Sequence, residues 1–358
     1  MADGSNVVTK DDLAEEFIQL VPEDAEFEVR LFSCLEVRVN DEDGRYMVAS
    51  KKLDDGAWFL LESPVVCWPL TQQEGEASLC DFPSSWCEGC LRSLPEPSSE
   101  PSSSRRRLTT PTPPRLCEAC AQRGLREMLT QEELISWRRW QHQRSAKSCV
   151  GLEAFGRCLA QVALIASKAK EAGLDNSQAV HFALKPFDRP QGPPGDAQVL
   201  LHGTTPAEVA QELRVSEPFQ SKLRKALGVE ADALLSEETI AQLAGKLVLN
   251  AASFSVPEVR QGLPLQSAGV YVLLSTMNHS CAPSVRLDTS ADSGAEVSLI
   301  TTMPLEVGDR LTLAYVTPDW PLEERQQQLS HWFFKCRCPR CEAEGCVRQA
   351  LGLDSTKK

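Results

Sequence analysis

Three cysteines within six residues, Cys336, Cys338 and Cys341, form a CxCxxC run whose thiolates can converge on one ion. Zinc prefers four ligands in a tetrahedron, so this run needs one more donor from elsewhere in the chain. Two candidates are Cys346, nearest in sequence, and Cys281, within the stretch Asn278 to Pro283 (NHSCAP). Ligation by Cys281 would clamp the C-terminal segment over residues 278–281. Packing gives little reason for three thiols so close together. A second set, Cys87 with Cys90 and Cys117 with Cys120, makes two CxxC pairs separated by 26 residues. That composition suits a closed four-sulfur structural site with no open position for chemistry. Cys80, Cys149 and His142 are further candidate ligands, although His142 lies in a basic stretch, Arg138 to Arg144, that reads as a solvated helical surface.

These groups need a frame and a compartment. The chain has 358 residues, of which 42% are hydrophobic, enough for about two structural units with a sizeable core. Its 37 Lys and Arg against 50 Asp and Glu leave a net charge of −13. Such a balance argues against direct nucleic-acid binding, which relies on neutralising phosphates, and in favour of a basic protein partner. The longest apolar stretches, Leu159 to Ser167 and Ala268 to Met277, are too short to span a bilayer. Met1 to Asp12 is charged where a secretion signal would be apolar. The expected setting is therefore the reducing cytoplasm or nucleus, where 14 cysteines read as metal ligands and buried thiols instead of disulfides.

Periodicity predicts mixed architecture. Residues 1–28 are acidic, with a short helix opening at Asp11 and running to Leu20. Short β-type runs follow at Val29 to Val39, Tyr46 to Ser50, Ala57 to Glu62 and Val65 to Trp68. Leu94 to Arg115 is a Pro and Ser stretch without apolar periodicity and reads as a disordered linker. Thr130, followed by Glu133, predicts a helix start, and Leu152, Phe155, Leu159, Val162 and Ile165 give an apolar helical face. Pro186 to Pro206 reads as loop, Pro206 to Leu249 as helix again, and Glu296 to Thr301 and Asp309 to Val316 as strands. Alternation sets Leu311, Leu313 and Tyr315 on one face of the last strand.

Over roughly Glu28 to Glu344 the chain resembles SET-domain protein lysine methyltransferases of the SET-and-MYND (SMYD-like) family. Asn278 to Pro283 is similar to the family's NHSCxPN signature, and Gly308 to Tyr315 to its strand ending in the catalytic tyrosine. Phe334 to Cys341 resembles the post-SET FxCxCxxC, and Asp43 to Ala49 with Leu61 to Pro64 resembles the family's N-terminal opening. The resemblance implies an α+β fold: SET-domain β-sheets with a pseudoknot, a helical insert, a small zinc-finger insertion and a zinc-bound post-SET segment. It divides the chain into an acidic segment (1–28), the first part of the SET domain (29–79), a degenerate MYND-like finger with its linker (80–130), a helical insert (131–250), the C-terminal SET core (251–331), the post-SET cluster (332–346) and a tail (347–358).

The resemblance also implies chemistry. Cys281 would join Cys336, Cys338 and Cys341 on one zinc, and Cys87, Cys90, Cys117 and Cys120 would hold a second. S-adenosylmethionine would lie against the backbone of Gly44, Arg45 and Tyr46, with Asn278, His279 and Asn250 as further contacts and Phe334 on the adenine. Tyr315 would orient the amine of a Lys-containing protein or peptide, with Tyr271 as the other candidate tyrosine. Several features depart from the family. Tyr46 stands where the GxG turn has its second glycine, Ser284 replaces the closing Asn, and the finger has four ligands in place of eight. Only residues 345–358 follow the post-SET cluster, so the substrate cleft is expected to be more open than in members with a C-terminal helical repeat domain. Tyr46 and Ser284 motivate an alternative reading, a catalytically weak SET-fold scaffold that binds Pro-rich or Lys-rich peptides.

Overall fold

The computed structural model describes residues 6–8, 30–31, 34–40, 44–70, 86–95, 114–144, 149–188, 190, 192–194, 201, 203–257, 264–290 and 292–350. The helix expected over 11–20, Cys80 and most of the 94–115 linker lie outside them.

Within the described residues, strands β1 (Asn6–Val8), β2 (Arg30–Leu31), β3 (Leu35–Asn40), β4 (Gly44–Ala49), β5 (Trp58–Glu62) and β6 (Val66–Pro69) come first. Two short helices of the finger follow, α1 (Glu118–Gln122) and α2 (Leu125–Met128), then a helical layer of α3 (Gln131–Gln143), α4 (Leu152–Glu171), α5 (Asn176–Asp188), α6 (Pro206–Val215), α7 (Glu217–Leu227), α8 (Glu230–Leu234) and α9 (Glu237–Asn250). Strands return as β7 (Ala252–Val256), β8 (Leu265–Val270), β9 (Asn278–His279), β10 (Val285–Thr289), β11 (Val297–Thr301) and β12 (Arg310–Leu313), before α10 (Leu322–Leu329) and α11 (Pro339–Ala350). The result is a mixed α+β fold. No described helix is long and apolar enough to cross a membrane.

Three sheets have the orders β1-β3-β4-β12-β9, β10-β11-β5-β2 and β6-β8-β7. Alternation drives the β3–β4 ribbon: Val37 and Met47 face each other in register and are both buried. Leu311 on β12 then pairs with Met47 on β4, closing an apolar face that continues through Phe59, Leu60, Met277 and Leu299. The pairing that matters most for function is parallel: Thr312 stands beside Asn278, and Leu313 beside His279. It sets residues more than thirty apart in sequence side by side.

The helical layer has its own core around α4, in which 15 of 20 residues are buried, so this helix sits inside the layer and not on its rim. Gly156 lets it close on α3, since a Cβ there would stand 2.4 Å from the Trp137 ring. Thr130 and Glu133 cap α3 reciprocally, as their spacing predicts.

Several expectations need correction. Residues 6–8 form a strand paired with β3, which adds a strand to the acidic segment ahead of the helix expected from Asp11. Pro186 lies within α5, which runs to Asp188, so the loop starts later than expected. Gly44, Arg45 and Tyr46 form no turn: they open β4, where Gly44 takes a φ of +65° and Arg38 pairs with Tyr46. Arg138 is not solvated. It is buried with Arg157, Glu88 and Glu153 in a closed ionic group, with Arg138–Glu88 at 2.6 Å, Arg138–Glu153 at 2.7 Å, Arg157–Glu88 at 3.0 Å and Arg157–Glu153 at 2.7 Å. Glu88 lies between two finger cysteines, so this group fastens the finger to α3 and α4.

Candidate active site and metal centres

Tyr315 follows the last residue of β12 by two positions, and everything around it is held by neighbouring backbone. Its amide N–H donates to Nδ1 of His279 (3.0 Å), and its hydroxyl donates to the Met277 carbonyl (2.5 Å). Its ring lies 5.3 Å from that of His279, 5.6 Å from Trp332 and 6.5 Å from Phe334. Burial pushes the Tyr315 hydroxyl up to about 12, so it stays a neutral phenol near pH 7. Burial likewise lowers His279 to about 4, with the nearby Arg325 charge acting in the same direction. The approach to Asn278 is fixed from below by Glu62, whose carboxylate accepts the amides of Leu273 (2.8 Å) and Leu274 (2.9 Å). Burial pushes Glu62 up to about 7 against the pull of those amides.

Tyr315 forms part of the wall of a cleft of about 760 Å³. Leu249, Asn250, Leu274, Leu287, Trp332 and Phe333 contribute to the lining, and no Asp or Glu is among the described residues that do. The far wall is tied down where the Trp332 indole donates to the Leu249 carbonyl (3.0 Å). Phe333 adopts a left-handed φ of +62°, a conformation that L side chains rarely take. That turn puts Phe333 in the cleft while Phe334 packs 6.1 Å from the His279 ring.

Of the residues singled out by sequence, Tyr315, His279 and Phe334 thus share ring contacts, Asn278 pairs with β12 beside them, and Asn250 lines the cleft. Tyr271 stands apart, 1% exposed, with its hydroxyl donating to the Ala295 carbonyl (2.6 Å). Gly44, Arg45 and Tyr46 do not line the cleft. Tyr46 packs its ring on the Arg310 guanidinium at 4.7 Å, on the β12 side of the sheet. Ser284 locks the signature loop in its own way. Its hydroxyl donates to the Arg310 carbonyl (2.9 Å) and accepts the Thr312 amide (2.9 Å). Neither departure obstructs the cleft. Glu62 and the buried ionic group were missed as site elements. Glu62 stands in the quoted Leu61 to Pro64 match, whereas nothing in sequence pairs Glu88 with α3 and α4.

Each cysteine cluster gathers four sulfurs within 4.8 Å of one another: Cys281, Cys336, Cys338 and Cys341 in one, Cys87, Cys90, Cys117 and Cys120 in the other. Four thiolates about 2.3 Å from a central zinc stand about 3.8 Å apart. Here Cys341 and Cys281 are 3.4 Å apart, Cys281 and Cys336 4.0 Å, and Cys90 and Cys117 3.7 Å. The all-sulfur donor sets fit zinc. Amide donors aimed at sulfur support this: Gly89 (3.3 Å) and Cys117 (3.2 Å) donate to Cys87 Sγ, and the Arg325 guanidinium lies 3.7 Å from Cys341 Sγ. Burial raises the Cys281 thiol to about 11, so a bound cation must displace its proton. Of the two sequence candidates for the fourth donor, Cys281 joins the cluster, while Cys346 is exposed and outside it. His142 is exposed, and Cys149 is in the cleft wall with its carbonyl accepting the Trp68 indole (2.7 Å). Neither belongs to a cluster.

No protein-family profile matches the chain. Several curated proteins do match over part of it. A SET and MYND domain-containing protein of Dictyostelium discoideum is 34% identical over 71 residues, covering 20% of this chain and 18% of that protein. The histone-lysine N-methyltransferase SET5 of Candida albicans is 30% identical over 76 residues, covering 21% and 16%, and the histone-lysine N-methyltransferase SMYD3 of Homo sapiens is 34% identical over 77 residues, covering 21% and 17%. The matched segment spans less than a fifth of the length of each of these relatives. Over that segment the chain is similar to SET and MYND domain-containing proteins and to histone-lysine N-methyltransferases, and its mixed α+β frame, which supplies two four-sulfur clusters, is consistent with that likeness.

Proposed function

We propose that this chain transfers a methyl group from S-adenosylmethionine to lysine side chains of protein substrates. The observation that carries the reading is the Tyr315 phenol at the wall of a mainly apolar cleft, braced by His279, Trp332 and Phe334. The bound cofactor supplies an electrophilic methyl on a sulfonium. Phe334, 37% exposed, offers aromatic surface for a purine, and Asn278 carries an amide with both donor and acceptor capacity on the strand beside it. Gly44 at the head of β4, with Arg45 and Tyr46 after it, borders β12 on the other side; Asn250 reaches in from the end of α9.

The acceptor must be a neutral amine. A free lysine has a pKa near ~10.4, and apolar walls such as Leu249, Leu274 and Leu287 disfavour its ammonium form. The neutral Tyr315 hydroxyl orients the amine, and the Met277 carbonyl that it already contacts fixes the direction of its lone pairs. The two zinc sites are structural on this reading: one clamps the segment carrying Phe333 and Phe334, the other holds the finger to the helical layer. The substrate is a Lys-containing protein in a compartment that keeps thiols reduced, cytoplasm or nucleus.

Calorimetry of S-adenosylmethionine on the zinc-loaded protein, followed by transfer of labelled methyl to histones and to cytosolic protein, tests the proposal. Micromolar binding that weakens in Asn278→Ala and Phe334→Ala, with label recovered on lysine, is expected. Absence of binding overturns it, and binding without transfer to any lysine leaves the scaffold reading.

A further inference from the structure

Among the described residues two that are not glycine take a left-handed backbone, Leu91 and Phe333, and they are held there differently. Leu91, at a φ of +59°, donates its amide to the Cys87 carbonyl (2.9 Å) and buries its side chain completely in the core that holds Trp86 and Phe59. Burial of the leucine offsets the strain. Phe333, at a φ of +62° and a ψ of +24°, closes the 3-10 turn Ser330–Trp332, and its amide donates to the Ser330 carbonyl (3.0 Å). A helical turn that ends in this conformation favours Gly or Asn, because a Cβ there crowds the backbone. The chain instead carries a phenyl, 40% exposed and outside every apolar core that the described residues form. Packing within the fold therefore does not account for this ring.

Its place in the cleft does. Trp332 and Phe334, on either side, both hold their rings near Tyr315, at 5.6 Å and 6.5 Å. The left-handed residue between them sets Phe333 in the cleft wall with Leu249, Leu274 and Leu287. The described lining offers no carboxylate to a basic side chain and presents the cation Arg286. Exposed aromatic surface in such a wall gains most when an apolar group covers it. We propose that Phe333 is a specificity-determining residue that receives a large aliphatic or aromatic side chain next to the target lysine of the substrate. This rests on the reading of the cleft as the place of lysine methylation and names the class of sequence that the cleft selects. Tyr315 orients the amine, whereas Phe333 contributes to recognition of the neighbouring residue, so its effect belongs in substrate affinity and KM.

The experiment uses zinc-loaded full-length protein and two peptides that differ only in carrying Leu or Ser on both sides of one lysine. Calorimetry in the presence of S-adenosylhomocysteine reads peptide affinity without turnover, and methyl transfer reads kcat and KM. The wild type is expected to favour the Leu-flanked peptide about tenfold in Kd and in kcat/KM. Phe333→Gly should bring that ratio to within about twofold of unity, through the Kd and KM of the Leu-flanked peptide, and Phe333→Tyr, which keeps the ring, should retain the preference. The melting temperature of Phe333→Gly should be no lower than that of the wild type, since Gly accepts the left-handed backbone without strain. A preference that survives in Phe333→Gly overturns the assignment. So does a melting temperature well below wild type, which would make the ring structural, or a loss of S-adenosylmethionine affinity, which would assign it to the cofactor. Peptide binding and methyl transfer with no preference between the flanks overturn this inference alone. Neither binding nor transfer of any peptide by the wild type overturns the proposed function along with it.

Discussion

Two tyrosines from the same apolar neighbourhood have opposite fates, and the difference is what their hydroxyls meet. Tyr315 opens onto the cleft, whereas Tyr271 is sealed against the Ala295 carbonyl. Tyr315→Phe is therefore expected to lower kcat at least tenfold while S-adenosylmethionine affinity changes less than twofold, because the loss is confined to the transition state. Tyr271→Phe should keep turnover and lower stability by about 1 kcal/mol, the usual net worth of one buried hydrogen bond. Steady-state kinetics and denaturant melts on both variants check the pair. Glu62 makes a different prediction. Its carboxyl titrates near 7 in the folded protein against 4.5 for an ordinary Glu, so the native state holds a proton that the unfolded chain has released. The sign follows from linkage: this group's contribution to stability falls as pH rises from 4.5 to 7, by roughly 3 kcal/mol in all, and is flat above. Glu62→Gln should abolish that slope, so the stability gap between variant and wild type should change with pH over this interval and remain constant above pH 8. A constant gap throughout would mean that the Leu273 and Leu274 amides keep Glu62 ionised.

The elements that place these residues differ in how readable they were. The cysteine pairs, the Thr130 cap and the NHSC-to-tyrosine order are local signals, and each leads to the right partners once Cys281 is drawn into the C-terminal cluster. Cys281→Ser is expected to leave one zinc per chain, with the finger site still filled and the 332–346 segment exchanging rapidly; elemental analysis and hydrogen exchange check this. The turn expected at Gly44 to Tyr46 failed for a tertiary reason. An aromatic ring there finds the Arg310 guanidinium across the sheet, so strand pairing wins over the local preference of a glycine-initiated turn. The helix runs on through Pro186 to Asp188 although proline lacks the N–H that would bond the carbonyl four residues back, so the sequence rule that ends a helix before proline is overridden there. The ionic group of Glu88, Arg138, Glu153 and Arg157 was invisible, since burial of four charges depends on two helices and a finger loop meeting, which no spacing encodes. All four side chains are 2–4% exposed. Glu88→Gln removes one carboxylate and leaves both guanidiniums short of charge, at an expected cost of about 3–5 kcal/mol. The finger should then detach from α3 and α4 below the global melting transition. A single unshifted melt in differential scanning calorimetry would show that Arg157, which also donates to the Glu88 carbonyl, holds the finger by backbone alone.

At the scale of the whole molecule, charge and cleft pull in different directions. The net charge of −13 attracts basic proteins from a distance, yet the described cleft lining holds no carboxylate and presents the cation Arg286, itself 3.5 Å from Asp288. Long-range attraction between exposed charges is screened within about 10 Å at 0.1 M salt, while contacts inside a desolvated cleft are screened much less. If the proposed function holds, encounter and selection are carried by separate parts of the surface. For a lysine flanked by basic residues, raising salt from 0.05 to 0.5 M should lower kcat/KM severalfold and leave kcat nearly unchanged, because salt acts before the lysine enters the cleft. A lysine flanked by apolar residues should show little salt dependence in either parameter and the higher kcat, since its flanks suit Leu249, Leu274 and Leu287 without leaving a cation unpaired on an apolar wall. Arg286→Glu gives the complementary measurement. It places a carboxylate at the cleft and should raise kcat for the basic peptide relative to the apolar one. Should salt instead depress kcat for both peptides alike, charge would act within the chemical step, and the division between an acidic exterior that recruits and an apolar cleft that selects would be wrong.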